Sequence, residues 1–263
     1  MGSDHLPMAR LLGTRVHATD YAACGRLVRH WAQSAETRVC CLANVHLIME
    51  AWDDPGYRAV INGADLVAPD GMPLVWLLRG RGHALFDRVY GPALMQRVLA
   101  EAAAHALPVG FLGSKPAVLS ALLHRLSLTY PELDVAFYHS PPFRPLNPEE
   151  DRTLVAKINA SGCRILFVGL GCPKQERWMA AHALGSEHAV RCVMLGVGAA
   201  FDFIAGSLPQ APAWIQRRGL EWLFRLACEP RRLWWRYLKH NPRFFVLALH
   251  EFVRCARFPQ VGE

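Results

Sequence analysis

With 263 residues and 52% hydrophobic content, the chain can bury a sizeable core, which excludes a disordered or fibrous protein. Its net charge of +7 is localised: residues 214–263 hold ten Lys/Arg against four Glu and four of the eight tryptophans, whereas residues 1–213 hold nineteen basic and eighteen acidic side chains. No stretch reaches the roughly 18 uninterrupted apolar residues of a bilayer span, and the opening "MGSDHLPMARLLG" lacks a basic region followed by an apolar one, so the expected compartment is the cytosol.

Along the chain, short runs rich in Val, Ile, Leu and Phe predict buried strands at 38–43, 65–68, 108–113, 133–138, 163–171 and 191–198. Between them, amphipathic stretches predict helices, among them 19–33, 91–106, 115–128 and 147–160. The last opens with Asn147 as cap, Pro148 at the first helical position and two glutamates in the first turn. Such alternation predicts a mostly parallel sheet covered by helices on both faces. Near residue 209 the pattern changes. From Trp214 onward only helical runs remain, dense in Arg and Trp and broken by Pro230 and Pro242. The expected division is an α/β domain, 1–209, whose core is complete without the rest, and a basic, aromatic helical appendage, 210–263.

The eight cysteines do not read as a disulfide framework. Cys40 and Cys41 are adjacent, Cys163 and Cys192 sit in strand-like runs, and no C-x-x-C pair occurs. Reduced buried thiols without zinc are expected. Histidines 46, 105, 124, 182 and 188 fall at helical positions without a ligand cluster and read as structural or exposed.

In an open parallel sheet, ligands bind beyond the carboxyl ends of the strands. Asn44, Asp70, "GSKP" (113–116) and "GLGCPKQE" (169–176) all follow predicted strands. Gly113, Ser114 and Lys115 precede a helix whose N-terminus suits a diphosphate; an ordinary strand-to-helix turn is the alternative. "GLGCPKQE" and "GVGAAF" open with G-x-G but lack the third glycine of a dinucleotide fingerprint, which argues against an NAD-dependent oxidoreductase. Pro69-Asp70-Gly71 is a common turn sequence, so Asp70 is either turn punctuation or a working carboxylate. Asn44 could cap the helix that follows it, and Glu176 could complement a helix dipole.

The blocks "ANVHLIMEA", "NGADLVAPDGMPLVW", "RVYGPALM", "GFLGSKPAV", "ILFVGLGCPKQERWM", "GVGAAFDFIAG" and "APAWIQRRGLEWLFRLACEPRRLWWRYL", in that order over roughly residues 10–245, resemble the WecG/TagA/CpsF family of bacterial glycosyltransferases, most of all its GumM-type members. The resemblance implies a Rossmann-like α/β fold and an inverting enzyme. The expected reaction moves a hexose, glucose in first place, from a UDP-sugar to an undecaprenyl-diphosphate-linked sugar in β-1,4 linkage during exopolysaccharide synthesis. The implied alternative is N-acetylmannosamine, or its uronic acid, transferred to GlcNAc-diphospho-undecaprenol.

By this resemblance Asp70 is similar to the general base, with Asn44 and Gln175 as pocket residues. Gly113, Ser114, Lys115, Gly169, Gly171, Glu176 and Arg88 become candidates for the nucleotide sugar. Arg225, Arg232 and Arg236 become candidates for the lipid diphosphate, on a tail that approaches the inner face of the plasma membrane. Family members usually carry Asp where this chain has Ala93, so its sugar preference is open. No D-x-D triplet occurs, so no metal or other cofactor is expected at the donor. A homo-oligomer sharing its active site is compatible with the pattern. A nucleic-acid module using the basic tail is the rival from another class, against which stand the paired tryptophans and the lack of a recognised motif.

Overall fold

The computed structural model describes residues 6–257 except 86, with side chains to residue 253; the ends of the expected division, 1–5 and 258–263, lie outside the described residues. Six strands form one parallel sheet: β3 (Arg38–Ala43), β4 (Leu66–Pro69), β5 (Val109–Gly113), β6 (Val135–His139), β7 (Ile165–Gly169) and β8 (Val193–Gly196). Their spatial order is β4-β3-β8-β7-β5-β6. All six predicted strands are present.

Side chains alternate across the sheet because successive Cβ atoms point to opposite faces. Val39, Cys41 and Ala43 enter one core with α2 (Val45–Asp53), α3 (Pro55–Asn62), α4 (Met72–Gly80), α7 (Pro148–Ser161) and α8 (Lys174–Ala181). Cys40 and Leu42 enter the other, with α1 (Tyr21–Gln33), α5 (Gly91–Ala104), α6 (Pro116–Thr129) and α9 (Ala200–Ala205). Both faces are dry, which explains why the strand sequences are continuous apolar runs. The described cysteines are free thiols, most of them buried. The cap read at Asn147 is a full capping box with Glu150, closed at the other end by Gly162 in the left-handed conformation.

An antiparallel hairpin, β1 (Met8–Leu11) and β2 (Thr14–His17), was not predicted. Its two-residue turn, Leu12-Gly13, has positive φ at both positions, without the Asn-Gly or Asp-Gly pair that signals such turns. The hairpin guards the sheet edge. Nδ1 of His17 accepts a hydrogen bond from Val67 N in edge strand β4 at 2.9 Å.

The tail differs from expectation in two ways. Beyond α10 (Ala213–Arg217) and α11 (Glu221–Cys228), α12 runs unbroken over Pro230–Arg257, with Pro242 inside it. A mid-helix proline costs about 3 kcal/mol; here Leu233 and His240 before it and Phe244 and Ala248 after it are all buried, so packing holds the helix straight through. Nor is the tail a separable appendage. Phe244 and Ala248 belong to the core beneath the sheet, and the Glu251 carboxylate accepts a hydrogen bond from Leu12 N in the hairpin turn. The core is therefore not complete at residue 209.

This packing is measurable. Phe244→Ala is expected to lower the free energy of unfolding by about 3–5 kcal/mol. An unchanged denaturation midpoint would show that α12 is detachable after all.

Candidate active site

Every strand-end loop singled out in the sequence meets at the carboxyl edge of the sheet. They line a cavity of about 410 Å³, with Asn44 after β3, Asp70 after β4, Ser114 and Lys115 after β5, and Gly169, Gly171, Gln175 and Glu176 after β7. Gly198 and Asp202 line it from beyond β8, and Arg225, Arg232 and Arg236 close it from the tail. A second cavity of about 340 Å³ adjoins it, with an apolar wall of Met72, Trp76, Trp222 and Phe245. Asn44, His46, Asp70, Tyr90, Arg225 and Arg236 line both. Asp70 stands at the junction.

The turn that carries Asp70 is fixed from three sides. Its backbone N–H donates to Ala43 O at 2.7 Å, tying the end of β4 to β3. Its carboxylate Oδ1 accepts from Gly91 N at 3.1 Å, at the start of α5. Its carbonyl accepts from Arg88 Nη1 at 3.3 Å. A helix N-terminus and a guanidinium favour the charged carboxylate, yet burial outweighs them and pushes its pKa up to about 6. Asp70 is both a turn residue and a buried carboxylate whose pKa is raised.

Arg88, expected to contact a phosphate, lines the smaller cavity. Its guanidinium is buried, ion-paired with the buried Glu221 of α11, hydrogen-bonded to Gln216 Oε1 at 3.1 Å, and stacked 4.3 Å from the Tyr90 ring centre. It joins the Asp70 turn to the tail. Gln175 is likewise committed. Its Oε1 accepts from Gly171 N and from Gly198 N, both at 3.1 Å, and its Nε2 donates to Glu176 at 2.8 Å. Gln175 brackets the two G-x-G loops together. Glu176, in the cavity lining, is itself buried; it also accepts from Tyr57 Oη at 3.1 Å, and burial raises its pKa.

Gly113 has a steric role. Its φ is +125°, and a Cβ there would lie 2.5 Å from the Gly169 carbonyl carbon, so only glycine lets β5 and β7 cross this closely. Ser114 N–H then donates to Gly169 O at 3.1 Å, so that amide is not free for a diphosphate. Lys115 is exposed at the rim. Asn44 serves twice: Oδ1 caps α2 by accepting from Leu47 N at 3.1 Å, while the residue lines both cavities. Ala93 follows Gly91 and Pro92 in the first turn of α5; those two line the larger cavity, and Ala93 does not.

The tail arginines supply positive charge where the loops do not. Arg225 and Arg236 each leave a buried Nε–H without a partner, as donors awaiting an anion do. Arg232, more exposed, is shared with Glu229 at 2.7 Å. Sequence reasoning missed Tyr90, Glu221 and His46 as site residues. All three sat inside recognised blocks, but the blocks did not show their roles, since their partners come from distant parts of the chain.

The fold and site define a Rossmann-like α/β protein whose sheet edge holds a carboxylate opposite a cluster of arginines, an arrangement for group transfer from or to a phosphorylated substrate. The chain matches the family described as "Glycosyl transferase WecG/TagA/CpsF family" over residues 9–257, and it belongs to that family. It is a glycosyltransferase. It is similar to the N-acetylglucosaminyldiphosphoundecaprenol N-acetyl-beta-D-mannosaminyltransferase of Bacillus subtilis (strain 168), with 28% identity over 86% of this chain and 84% of that protein. The protein of the same name from Bacillus spizizenii (strain ATCC 23059 / NRRL B-14472 / W23) is 30% identical over 80% of this chain and 78% of its own length.

Gln175→Ala orphans the Gly171 N–H and leaves that of Gly198 only its long 3.4 Å bond to Val168 O, at about 1–3 kcal/mol for a donor that stays buried. Hydrogen exchange at Gly171 and Gly198 is then expected to quicken together. Unchanged protection at both would remove the bracket role.

Proposed function

We propose that this glycosyltransferase moves an N-acetylmannosamine-type sugar, in an inverting reaction, from a nucleotide-diphosphate donor to N-acetylglucosaminyl-diphospho-undecaprenol. The observation that carries the chemistry is Asp70, held at the junction of the two cavities. The donor occupies the larger one, where backbone loops and arginines gather. The acceptor enters through the smaller, aromatic one. Asp70 takes the proton of the acceptor hydroxyl as that oxygen attacks the anomeric carbon, and the nucleotide diphosphate leaves from the opposite face. Arg225, Arg232, Arg236 and Lys115 hold the diphosphates, the first and third reaching both cavities.

The choice of sugar rests on the relatives, both named for N-acetylmannosaminyl transfer to a GlcNAc-diphospho lipid. The first expectation, glucose in β-1,4 linkage in exopolysaccharide synthesis, has no such support and gives way to the alternative. UDP is the favoured nucleotide. Incubation with UDP-N-acetylmannosamine, its uronic acid and UDP-glucose, against short polyprenyl-diphosphate acceptors bearing GlcNAc or glucose, decides it by product mass. A glucose-only product would reinstate the first expectation.

Asp70→Asn keeps the turn but removes the proton acceptor, so turnover is expected to fall ~10²–10⁴-fold with little change in donor affinity. The base works deprotonated. With its pKa raised to about 6, kcat/KM of the wild type is expected to fall as pH drops through about 6 and to level off above it. Near-normal turnover of Asp70→Asn, or an acid limb that survives in it, would sink the assignment.

Among the described residues no helix is long and apolar enough to cross a membrane. The outer face of the tail nevertheless exposes Trp234, Trp235, Leu238, Phe245 and Leu249 beside arginines, a pattern suited to the headgroup zone of the inner leaflet. Because truncating the tail would open the core, the clean test is substitution. Trp234→Ser with Trp235→Ser is expected to weaken sedimentation with anionic vesicles at least tenfold while turnover on a water-soluble acceptor persists. Equal vesicle binding would show that this face is not the docking surface.

A further inference from the structure

On α2, His46 and Glu50 are four residues apart and so share one helical face. The buried His240 of α12 packs against that face, its ring centre 5.1 Å from that of His46. One ring nitrogen from each histidine and one Glu50 carboxylate oxygen lie within 4.8 Å of one another. Among the described residues this is the one cluster of its kind. It corrects the reading of His46 as a histidine without ligand partners.

The spacing is wrong for hydrogen bonds and right for a cation. Glu50 Oε1 is 3.7 Å from His46 Nδ1 and 3.4 Å from His240 Nε2. Hydrogen bonds of these types are shorter. Two ligands on a tetrahedral Zn²⁺, each near 2.0–2.1 Å from it, stand about 3.3 Å apart. Nδ1 of His46, the atom that faces Glu50, is buried without a hydrogen-bond partner, a cost the protein alone leaves uncompensated. Of the neighbouring cations, Arg243 and Lys239 are taken up by Asp53, at 2.6 and 3.6 Å. Arg236 remains, one turn before His240 on the same helix.

We propose that His46, Glu50 and His240 bind one divalent ion of the zinc class, which pins α12 to α2. Two histidines and a glutamate leave one position for water. The ion is not assigned to the leaving diphosphate. Its effect is positional: His240 lies four residues after Arg236, so fixing His240 fixes the arginine that reaches both cavities. The proposal holds whichever sugar is transferred.

The test uses full-length protein stripped with a chelator and titrated with Zn²⁺. One Zn²⁺ per chain is expected, with a rise in Tm, and Co²⁺ in its place is expected to give visible absorption of low-coordinate histidine–carboxylate ligation. Glu50→Gln and His240→Gln are expected to weaken Zn²⁺ binding at least ~100-fold, beyond what loss of a supporting hydrogen bond produces, whereas His188→Gln, at an exposed position, leaves it unchanged. Should a variant not fold, the wild type still decides: bound Zn²⁺ is expected to protect His46 and His240 from diethylpyrocarbonate. Absence of stoichiometric Zn²⁺ in the wild type, equal affinity in the folded variants, or no protection of these two histidines would each overturn the site.

Discussion

The buried ion pair between Arg88 and Glu221 is the interaction on which the rest of the site depends. Arg88 lies between α4 and α5, and Glu221 opens α11, 133 positions later. Both are withdrawn from water, where an unpaired charge costs several kcal/mol, so neither segment can settle without the other. Through its second nitrogen Arg88 holds the carbonyl of Asp70. The Asp70 turn is thereby tied to the tail. The pair also acts on Asp70: Arg88 pulls its pKa down and Glu221 pushes it up, so desolvation is left to decide its value.

That arrangement lets a single helix serve three environments. With 3.6 residues per turn, α12 turns Leu233, His240, Phe244 and Ala248 inward, Arg232 and Arg236 toward the larger cavity, and Trp235, Leu238 and Phe245 outward or toward the smaller one. Its inward face secures it to the sheet, and that is what gives the arginines a fixed address. A guanidinium held in place spends less entropy on gripping a diphosphate than one on a loose chain. Its aromatic outer face lies next to the smaller cavity, which Tyr237 and Phe245 help to line.

Beneath the cavity the loops are held by close approach rather than by ligand contacts. Gly113 permits two strands to meet where any side chain would collide, and Gln175 ties the loops after β7 and β8 with one oxygen. A G-x-G pattern therefore appears twice in the sequence without a dinucleotide site. The glycines answer to packing between loops.

The sequence by itself determined the sheet, its helices and the edge at which chemistry would gather, because these follow from local periodicity and from residues such as Asn147, Pro148 and Gly113 acting on their near neighbours. It also placed Asn44, Asp70, Gly169 and Gly171 at strand ends, and from there the topology brings them together. What it could not decide was the use of each polar group. Arg88 read as a phosphate ligand, and its guanidinium pairs with Glu221; Gln175 lines the pocket as read, and its oxygen also holds two backbone amides; His46 read as structural or exposed, and His240 faces it. Pro242 read as a break because propensity is local, while the burial of Phe244 that overrides it is not. Only the tertiary structure assigns these roles, because the partners of a buried charge or ring nitrogen are set by distance in space, and separations of 133 or 194 positions leave no trace in local pattern.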